Sequence, residues 1–550
     1  MSTKTTNDAP RVSVIIPCHN DEQYLEQCLH SALRQTLRAI EVIVIDDAST
    51  DSSLRIAQSF AATDHRLKLI AFDQNRSASK ARKEGVLAAS GDYIMFLDAD
   101  DYLEPDACER LYKVISRKKV DIVHFESRII PSNDMPPERL SGLTKRLAPY
   151  HHSLIGDQVF TACFLNKLYR PTIWNKIYNA QLCRQAFALI SDARLPKAQD
   201  FYAFFVIAWL ANSYCGIAGK PYYNYRSGTG VTGHSRIDLA TLETFCQGAW
   251  AADAVAAFAQ DQGSDIATQA ADQLRVLLIG ECLTQWFRYL PDEIAAQGFD
   301  VLVKYWDASK LLAAIHARHK KHPQLIAQKV AGAVCLSPGD PKPVHTIGFC
   351  YSPSFISDAR QTISPLVSIF TGMGYQVVLL TTDPSDSIEY LVPDEVRTVS
   401  IPAAPSDGRN YDVRAECLAT ATSQCSIDIM LYYTDHSPTQ VFDILAIKLA
   451  GARLVAYSPE SVLDGFEHQS QAQIYQPSIL KLADRVLVPE KVDQMFFQTL
   501  GVNAALANLD GRDTPNQSEF WQQVIKDDLP IEQDQNLDAD QSGSSQTRVY

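Results

Sequence analysis

Short apolar runs and helical patterns alternate along the first hundred residues. Four runs rich in β-branched, Leu and aromatic residues predict strands: Val12–Ile16, Glu41–Ile45, Leu67–Phe72 and Tyr93–Leu97. Apolar residues three and four positions apart predict helices between them: Asp21–Gln35, a segment through Leu54 and Ile56, and Ser79–Ala89. Because nearly continuous apolar strands need helices on both faces, this part of the chain predicts an α/β domain with a parallel sheet.

The pattern changes near Ile237. Segments such as Trp250–Gln260 and Leu277–Tyr289 are rich in Ala, Leu and Gln and carry few strand signals, which predicts a helical region. Alternation then resumes, with predicted strands at Thr346–Tyr351, Gln376–Thr381, Ile427–Tyr432, Arg453–Ala456 and Arg485–Val488. The predicted segments are a flexible N-terminus (1–10), a first α/β domain (11–236), a helical connector (237–334), a Pro- and Gly-rich linker (335–344), a second doubly wound, Rossmann-like α/β domain (345–529) and an acidic, disordered tail (530–550).

Composition narrows the function classes. Lys and Arg number 50 against 64 Asp and Glu, a formal net charge of −14, which argues against a protein that coats nucleic acid, so no nucleic-acid partner is expected. The apolar stretch Phe201–Ala211 is too short for a bilayer span, which needs roughly 18 residues or more. Twelve cysteines without a CxxC pair, and a start without an apolar signal segment, predict a soluble, cytoplasmic protein.

Acidic residues follow two of the predicted strands. Asp46-Asp47 ends the second strand, and Asp98-Ala99-Asp100-Asp101 ends the fourth. Ligands of open parallel sheets bind at the carboxyl ends of the strands, and carboxylates spaced DxD can hold a hard divalent cation that bridges a diphosphate. The tripeptide alone is weak support, since Asp538-Ala539-Asp540 repeats it in the tail, and an acidic turn before a helix is the alternative reading.

Several blocks together carry a family resemblance. VSVIIPCHNDEQYLEQCLHSALRQT, EVIVIDDASTDSS, NRSASKARKEG and GDYIMFLDADDYLEP closely resemble family 2 glycosyltransferases of the GT-A fold over roughly residues 11–110. The resemblance continues more loosely through RPTIWNKIYNAQL, KAQDFYAFF and KPYYNYRSGTGVT to about residue 235. It implies a nucleotide-sugar donor, such as a UDP-sugar, and an inverting transfer to a hydroxyl group.

The resemblance also implies roles for individual residues. The nucleotide would lie along three residues after the first strand: Pro17, His19 and Asn20. Asp46 or Asp47 would contact the base, and Arg82 would lie near the diphosphate. Asp98 and Asp100 would form the pair that binds Mn²⁺ or Mg²⁺, with Asp98 also beside the nucleotide-sugar and Asp100 the better direct ligand.

An inverting displacement needs a base for the acceptor proton. The family usually supplies it from a Glu-Asp pair that opens a helix, and the matching dipeptide is Gln199-Asp200, so the resemblance places the base on Asp200. The alternative is that Asp200 only caps the helix. Gln199 departs from the family's Glu, and Ser77 stands where the family usually has Gly, at a position that can need positive φ.

Other blocks offer weaker candidates. Trp174, Lys176 and Arg226 occupy family positions that could contact the acceptor or the donor sugar, and Trp174 could equally belong to the core. Residues 345–511 look like one Rossmann-like half of a GT-B glycosyltransferase without its donor-binding partner half. This part of the chain could bind an acceptor glycan, pack on the first domain or mediate self-association into a homo-oligomer.

The leading hypothesis is an inverting, metal-dependent glycosyltransferase that builds cell-surface polysaccharide on a glycan or a lipid-linked acceptor. A lipid-linked acceptor would bring the protein to the inner face of the cell membrane as a peripheral protein. The alternatives are a catalytically silent sugar-nucleotide-binding or scaffold protein, and a nucleotidyltransferase, which shares the sheet and the metal carboxylates but breaks the bond between the α and β phosphates.

Overall fold

A computed structural model describes most of the chain. The described residues are 9–132, 135–228, 236–337, 342–351, 356–381, 393, 396–403, 411–434, 439–458, 477–507 and 517–526. The predicted disordered tail, the second DxD tripeptide and most of the predicted flexible N-terminus lie outside these ranges. Two compact units divide the chain: residues 1–294 with 304–306, here called the N-terminal unit, and residues 295–303 with 307–550, the C-terminal unit.

The N-terminal unit contains two described sheets. Its strands are β1 (Val12–Cys18), β2 (Ile40–Asp46), β3 (Leu67–Ala71), β4 (Tyr93–Phe96), β5 (Tyr102–Leu103), β6 (Ile122–His124), β7 (Ser127–Ile130), β8 (Ser153–Ile155), β9 (Lys176–Asn179), β10 (Ser213–Gly216) and β11 (Tyr223–Arg226). Eight of them form a sheet in the order β3-β2-β1-β4-β9-β6-β10-β8, and the other three form a small sheet in the order β5-β11-β7.

Helices cover both faces of the large sheet. They are α1 (Leu25–Leu33), α2 (Ser53–Thr63), α3 (Ala78–Ala88), α4 (Ala107–Lys118), α5 (Pro137–Leu147), α6 (Gln158–Phe164), α7 (Ala180–Leu189) and α8 (Gln199–Leu210). The helical region continues with α9 (Leu239–Cys246), α10 (Gly248–Asp261), α11 (Asp265–Thr284) and a π-helical turn, Gln285–Tyr289. Within this unit α10 packs against α8, and α11 packs against α6.

Close packing fixes α3 on the sheet. A Cβ atom at Gly85 would collide with Ile15 of β1 and would lie 2.9 Å from Cδ1 of Ile45 in β2. Only a residue without a side chain therefore lets the helix backbone approach the two strands this closely. The approach places Arg82, one turn earlier on α3, at the carboxyl ends of those strands.

The prediction of an α/β protein is confirmed, but the large sheet is mixed rather than parallel. β3, β2, β1 and β4 are parallel, as the apolar runs predict. β9 then pairs antiparallel with both β4 and β6, and β8 pairs antiparallel with β10 at the edge. These added strands are only three or four residues long, so their apolar pattern is too short to separate them from loops.

The C-terminal unit contains a parallel sheet of seven described strands. They are β12 (Thr346–Cys350), β13 (Gln376–Thr381), β14 (Arg397–Ser400), β15 (Ile429–Tyr433), β16 (Arg453–Tyr457), β17 (Arg485–Val488) and β18 (Ala504–Leu506), in the order β14-β13-β12-β15-β16-β17-β18. The sequence predicts five of these strands within two residues. It misses β14 and β18, which form the edges of the sheet and are less buried.

The helices of this unit include part of the helical region. Helix α12 (Ala295–Tyr305) contains residues that belong to each of the two units. The helices that follow it are α13 (Ala308–His319), α14 (Pro323–Val330), α15 (Ile356–Gly372), α16 (Tyr411–Gln424), α17 (Gln440–Leu449), α18 (Lys491–Thr499) and α19 (Gln517–Lys526). The His316 ring of α13 stacks on Tyr411 of α16, with ring centroids 4.5 Å apart. Among the helices that the structure describes, none combines the length and apolar character needed to span a membrane.

Candidate active site

The carboxyl ends of β1, β2 and β4 meet at one edge of the large sheet, because these three strands are parallel neighbours. This edge carries His19 and Asn20 after β1, Asp46-Asp47 at the end of β2, and residues 98–101 after β4. Pro17 lies inside β1 opposite Ile45. The topology therefore brings together side chains that are about 80 residues apart in the sequence.

Asp46 and Asp47 have different surroundings. Both carboxylate oxygens of Asp47 accept backbone hydrogen bonds, from Arg76 at 2.6 Å and from Ser77 at 2.9 Å, so this side chain holds the loop before α3. Asp46 accepts one bond from the backbone N–H of Ser49 at 3.1 Å through Oδ2. Its buried Oδ1 has no hydrogen-bond partner among the described residues. Asp46 is therefore the member of the pair with an acceptor left for a ligand.

The two residues after β1 close this part of the edge. The His19 ring contacts the backbone oxygen of Asp47 through Nδ1 at 2.8 Å. Asn20 adopts a left-handed backbone conformation, with φ of 60°, and its side-chain oxygen accepts a hydrogen bond from the backbone of Thr50 at 2.8 Å. Hydrogen bonds thus tie the loop after β1 to the loop after β2.

Arg82 is a buried cation with unused donors. Arg82 is 5% exposed, and one of its terminal nitrogens donates a 2.8 Å hydrogen bond to Oδ1 of Asp98. Nε and the other terminal nitrogen have no hydrogen-bond partner in the described part of the chain. Buried guanidinium donors without partners are costly, and a bound anion is the group that would satisfy them.

The small sheet holds the loop that follows β4. Tyr223 of β11 donates a hydrogen bond from its hydroxyl to Asp101 at 2.8 Å, and the same hydroxyl accepts one from the backbone of Asp98 at 3.1 Å. The backbone N–H of Arg226 donates to Asp101 at 2.7 Å, while its guanidinium donates to the backbone oxygen of Asp100. Because Asp101 is fully buried and hydrogen-bonded in this way, it positions the loop, in which Asp98 and Asp100 are half-buried and line a cavity.

A cavity of about 740 Å³ lies against this loop, within the N-terminal unit. Its lining includes Arg82, Asp98, Asp100, Trp174, Asp200 and the side chains of α5, α11 and the π-helical turn. Volumes of this size are typical of small-molecule sites. The cavity thus brings three predicted parts together: the diphosphate arginine, the DxD pair and the carboxylate assigned as base.

Asp200 is the second residue of α8, a helix that begins directly after Ala198, which adopts the left-handed conformation with φ of 59°. Burial raises the pKa of Asp200 above its usual value, the positive charges of Arg82 and Lys197 oppose the increase, and the charge of Asp98 adds to it. The pKa of Asp200 therefore depends on residues of α3 and of the loop 98–101, here called the DxD loop. A raised pKa keeps a carboxylate basic enough to accept a proton.

The residues around the DxD loop suit a divalent cation only in part. Burial, and then the charges of Asp100 and Asp98, raise the pKa of Asp21 to about 6, with a backbone hydrogen bond acting in the opposite direction. No group of three or more His, Cys, Asp and Glu side chains in the described ranges is arranged to hold a metal ion. Two hard carboxylate donors beside unused guanidinium donors fit a cation shared with a diphosphate rather than one enclosed by protein.

The three weaker candidates have different outcomes. Trp174 lines the cavity, is 6% exposed and stacks on Tyr225 with ring centroids 5.0 Å apart, so it belongs to the wall and the core at once. Lys176 is fully buried, does not line the cavity and donates from Nζ to Thr172 and Asn175, so the expectation of a ligand contact is revised: this side chain holds the segment Thr172–Asn175. Arg226 packs over Tyr24 and holds the DxD loop.

Several residues of the site carry no strong signal in the sequence. The structure adds Tyr223 and Asp101 to the DxD loop and five further cations to the cavity lining: Arg139, Arg146, Arg170, Lys197 and Arg288. Of the seven described non-glycine residues with positive φ, four lie at or next to the site: Asn20, Ala48, Ser77 and Ala198. Such strain tends to be kept where function needs it. Arg139, Arg146 and Arg288 lie outside the sequence blocks that resemble the family, so no motif spacing predicts them.

Comparison with known proteins identifies the first part of the chain. Residues 13–178 match the family described as Glycosyl transferase family 2. The chain is 33% identical over 192 residues to glycosyltransferase GlyA of Streptococcus pneumoniae, which is 35% of this chain and 25% of GlyA. It is also 38% identical to TuaG of Bacillus subtilis over 105 residues, which are 19% of this chain and 42% of TuaG. The name of TuaG describes a glycosyltransferase of teichuronic acid biosynthesis.

These matches span less than half the length of either relative. Among solved structures, Staphylococcus aureus TarS 1-349 in complex with UDP-GlcNAc is 19% identical, with a TM-score of 0.40, over 58% of this chain and 88% of that chain. The chain is an α/β protein with a GT-A-like N-terminal domain, a helical middle region and a C-terminal Rossmann-like parallel sheet, and its residues 13–178 match glycosyltransferase family 2.

Proposed function

We propose that the N-terminal unit is an inverting, metal-dependent glycosyltransferase that moves a sugar from a nucleoside-diphosphate donor, a UDP-sugar in the first instance, to a hydroxyl group of a glycan or glycoconjugate. One observation supports this proposal above the others. The buried guanidinium of Arg82 pairs with Asp98 and has two donors left, in the cavity that also contains Asp100 and Asp200. A diphosphate is the ligand that these donors would bind.

The chemistry of the residues suggests a single displacement. Asp200, in its deprotonated form, accepts the proton of the acceptor hydroxyl as that oxygen attacks the anomeric carbon. The bond from the anomeric carbon to the diphosphate oxygen breaks with its electron pair, and the nucleoside diphosphate leaves from the opposite face. Arg82 stabilises the negative charge that develops on the diphosphate, because its unpartnered donors are buried and the charge there is weakly screened.

The donor nucleotide would occupy the edge formed by the loops after β1 and β2. Asp46, with its unpartnered oxygen, is the residue that we assign to the base or ribose, while Asp47 holds the loop. Asp98 and Asp100 would hold Mn²⁺ or Mg²⁺ together with the diphosphate. The cation supplies further neutralisation of the leaving group when it is bound.

Donor hydrolysis tests the proposal. The purified chain is incubated with a panel of UDP-sugars and with GDP-mannose, with Mn²⁺ or with EDTA, and released nucleotide is measured. We expect slow release of UDP from at least one donor, lost in EDTA and reduced by about 100-fold in Asp200→Asn. Asp157→Asn is the matched control, since Asp157 is exposed, lies at the start of a helix and is outside the cavity lining.

The same assay separates the alternatives. A nucleotidyltransferase breaks the bond between the α and β phosphates, so from a UDP-sugar it would release UMP and a sugar 1-phosphate rather than UDP, and it would release inorganic diphosphate only from a nucleoside triphosphate. A silent binding or scaffold protein would be stabilised thermally by a donor and would release no nucleotide. Gln199→Glu restores the carboxylate that the family usually has, and a rise of more than tenfold in its rate would show that Gln199 limits the wild-type enzyme.

The biological setting of the reaction is also part of the proposal. The name of the relative TuaG refers to the synthesis of a cell-surface polymer, which supports a role in polysaccharide synthesis with a glycan or lipid-linked acceptor. For the C-terminal unit we propose acceptor binding or self-association. Removal of residues 307–550 tests this, because donor hydrolysis should survive while transfer to a polymeric acceptor or the oligomeric state should change.

A further inference from the structure

Cationic side chains dominate one part of the cavity beside Asp200. Arg139 and Arg146 lie on α5, Arg170 precedes the buried Trp174 segment, Lys197 precedes α8, and Arg288 lies on the π-helical turn. These five residues are here called the basic wall. Three of them, Arg139, Arg146 and Arg288, lie outside all the sequence blocks that resemble the family.

The acidic groups of the cavity are too few to neutralise the basic wall. The lining contains four carboxylates: Asp98, Asp100, Asp200 and Glu281. Asp98 already pairs with Arg82, and Glu281 pairs with Arg170 at 2.7 Å. Burial, and then the charge of Arg170, lower the pKa of Arg146, which indicates that like charges are held close together.

Aromatic rings also hold three cations of this wall. The Arg139 guanidinium lies 5.3 Å from the ring centre of Tyr289, and that of Arg170 lies 5.5 Å from Phe201. The Lys197 ammonium lies 4.6 Å from the ring centre of Phe245. Stacking on a ring fixes a cation without cancelling its charge, so the wall keeps a positive potential. Arg146 and Arg288 are exposed and can reach a ligand.

The basic wall and the donor residues Arg82, Asp98 and Asp100 line the same cavity as Asp200. Asp200 responds electrostatically to Arg82 of the donor side and to Lys197 of the wall. The acceptor must approach the base from the side that the diphosphate does not occupy. We propose that the acceptor is an anionic glycan, which carries phosphodiester or carboxylate groups within one or two units of the attacked hydroxyl, and that the basic wall binds these groups. This inference rests on the proposed glycosyltransferase function.

Binding of defined probes to the full chain tests the inference. The probes are a glycerol phosphate tetramer, a tetrasaccharide of alternating glucuronic acid and N-acetylglucosamine, and neutral chitotetraose, titrated by calorimetry at about 50 and about 300 mM salt. We expect at least one anionic probe to bind about tenfold or more tighter than chitotetraose at low salt, and to lose that advantage at high salt. The two anionic arms distinguish phosphodiester from carboxylate recognition.

Variants assign the binding to the wall. Arg146→Gln/Arg288→Gln should weaken the anionic probe about tenfold and leave chitotetraose within twofold. The matched control is Lys145→Gln, because Lys145 is exposed on the same helix and does not line the cavity. Equal affinity for all three probes, or equal losses in the double variant and the control, overturns the inference. Circular dichroism checks the fold, and if the double variant is unfolded, Arg288→Gln alone with the salt dependence decides.

Two further results separate this inference from the proposed function. Absence of nucleotide release by the wild-type chain with every donor would reject the glycosyltransferase, whatever the probes do. Nucleotide release together with equal binding of anionic and neutral probes would reject only the anionic acceptor. A double variant that binds UDP weakly and the anionic probe normally would assign the wall to the donor instead and would also overturn the inference.

Discussion

Arg82 donates a 2.8 Å hydrogen bond to Asp98 and thereby joins helix α3 to the loop after β4. The two residues are only 16 positions apart, but they reach each other across the carboxyl edge of the sheet, because α3 lies directly on β1 and β2. A planar guanidinium can make this bond and still direct its other nitrogens at a ligand, whereas a lysine ammonium acts as a point charge.

Arg82→Lys should therefore keep the charge and lose the function. We expect kcat/KM for donor hydrolysis to decrease by about 100-fold or more, since one charge can no longer serve both Asp98 and the diphosphate. The control is Arg184→Lys, because Arg184 donates to the backbone of Ala89 outside the cavity. Equal activity of Arg82→Lys and Arg184→Lys would contradict the proposed role of the planar guanidinium of Arg82.

Tyr223→Phe should loosen the DxD loop. The substitution removes the donor to the fully buried Asp101 and the acceptor for the backbone of Asp98. We expect the free energy of unfolding to decrease by about 1–3 kcal/mol and KM for the donor to rise. Urea denaturation measures the first effect, with Tyr93→Phe as control. A variant with the stability of the control would show that the loop does not depend on this hydroxyl.

Ser77→Gly should stabilise the protein. Ser77 has φ of 81° and ψ of 154°, a region that residues other than glycine enter at a cost of about 1–3 kcal/mol. Its buried hydroxyl also lacks a hydrogen-bond partner among the described residues. After the entropic cost of glycine, we expect a net gain of about 1 kcal/mol by urea denaturation. A loss of stability would mean that the Ser77 side chain makes a favourable contact.

Gly85→Ala and Gly142→Ala should have opposite effects, although both glycines lie inside helices. A methyl group at Gly85 would collide with Ile15 and Ile45, so we expect a loss of about 1–3 kcal/mol. No atom lies within 4 Å of the equivalent position at Gly142, so alanine there should add about 0.5–1 kcal/mol of stability through helix propensity. Thermal melts of the pair measure both effects against one wild type.

Because Lys176 is buried, the free energy of unfolding should change with pH in the alkaline range. Burial lowers its pKa from 10.5 to about 7. Between these values the unfolded chain binds the proton and the folded chain does not, so the free energy of unfolding rises with pH, by at most about 1.4 kcal/mol per pH unit. Urea denaturation at pH 7.5 and 9.5 should show a smaller rise in Lys176→Met than in the wild type. Identical slopes would mean that Thr172 and Asn175 keep the ammonium charged.

Local patterns predicted much of the fold because the strands of the sheet interiors are buried on both faces. Such strands read as continuous apolar runs, and β1, β2, β12 and β13 were predicted within two residues of their bounds. The same reasoning missed short or edge strands such as β9 and β14. Their placement depends on pairing with distant strands rather than on their own composition.

The candidate site, like the fold, was predicted only in part from the sequence. The available chemical groups can be predicted from the order of amino acids, because the acidic pairs at strand ends and Arg82 stand in recognisable blocks. That order does not distinguish the roles of Asp46 and Asp47, and it does not show that Lys176 is buried. These points, and the position of the basic wall in the same cavity as Asp200, follow from the folded structure, since hydrogen-bond partners, burial and like-charge proximity arise when distant segments pack together.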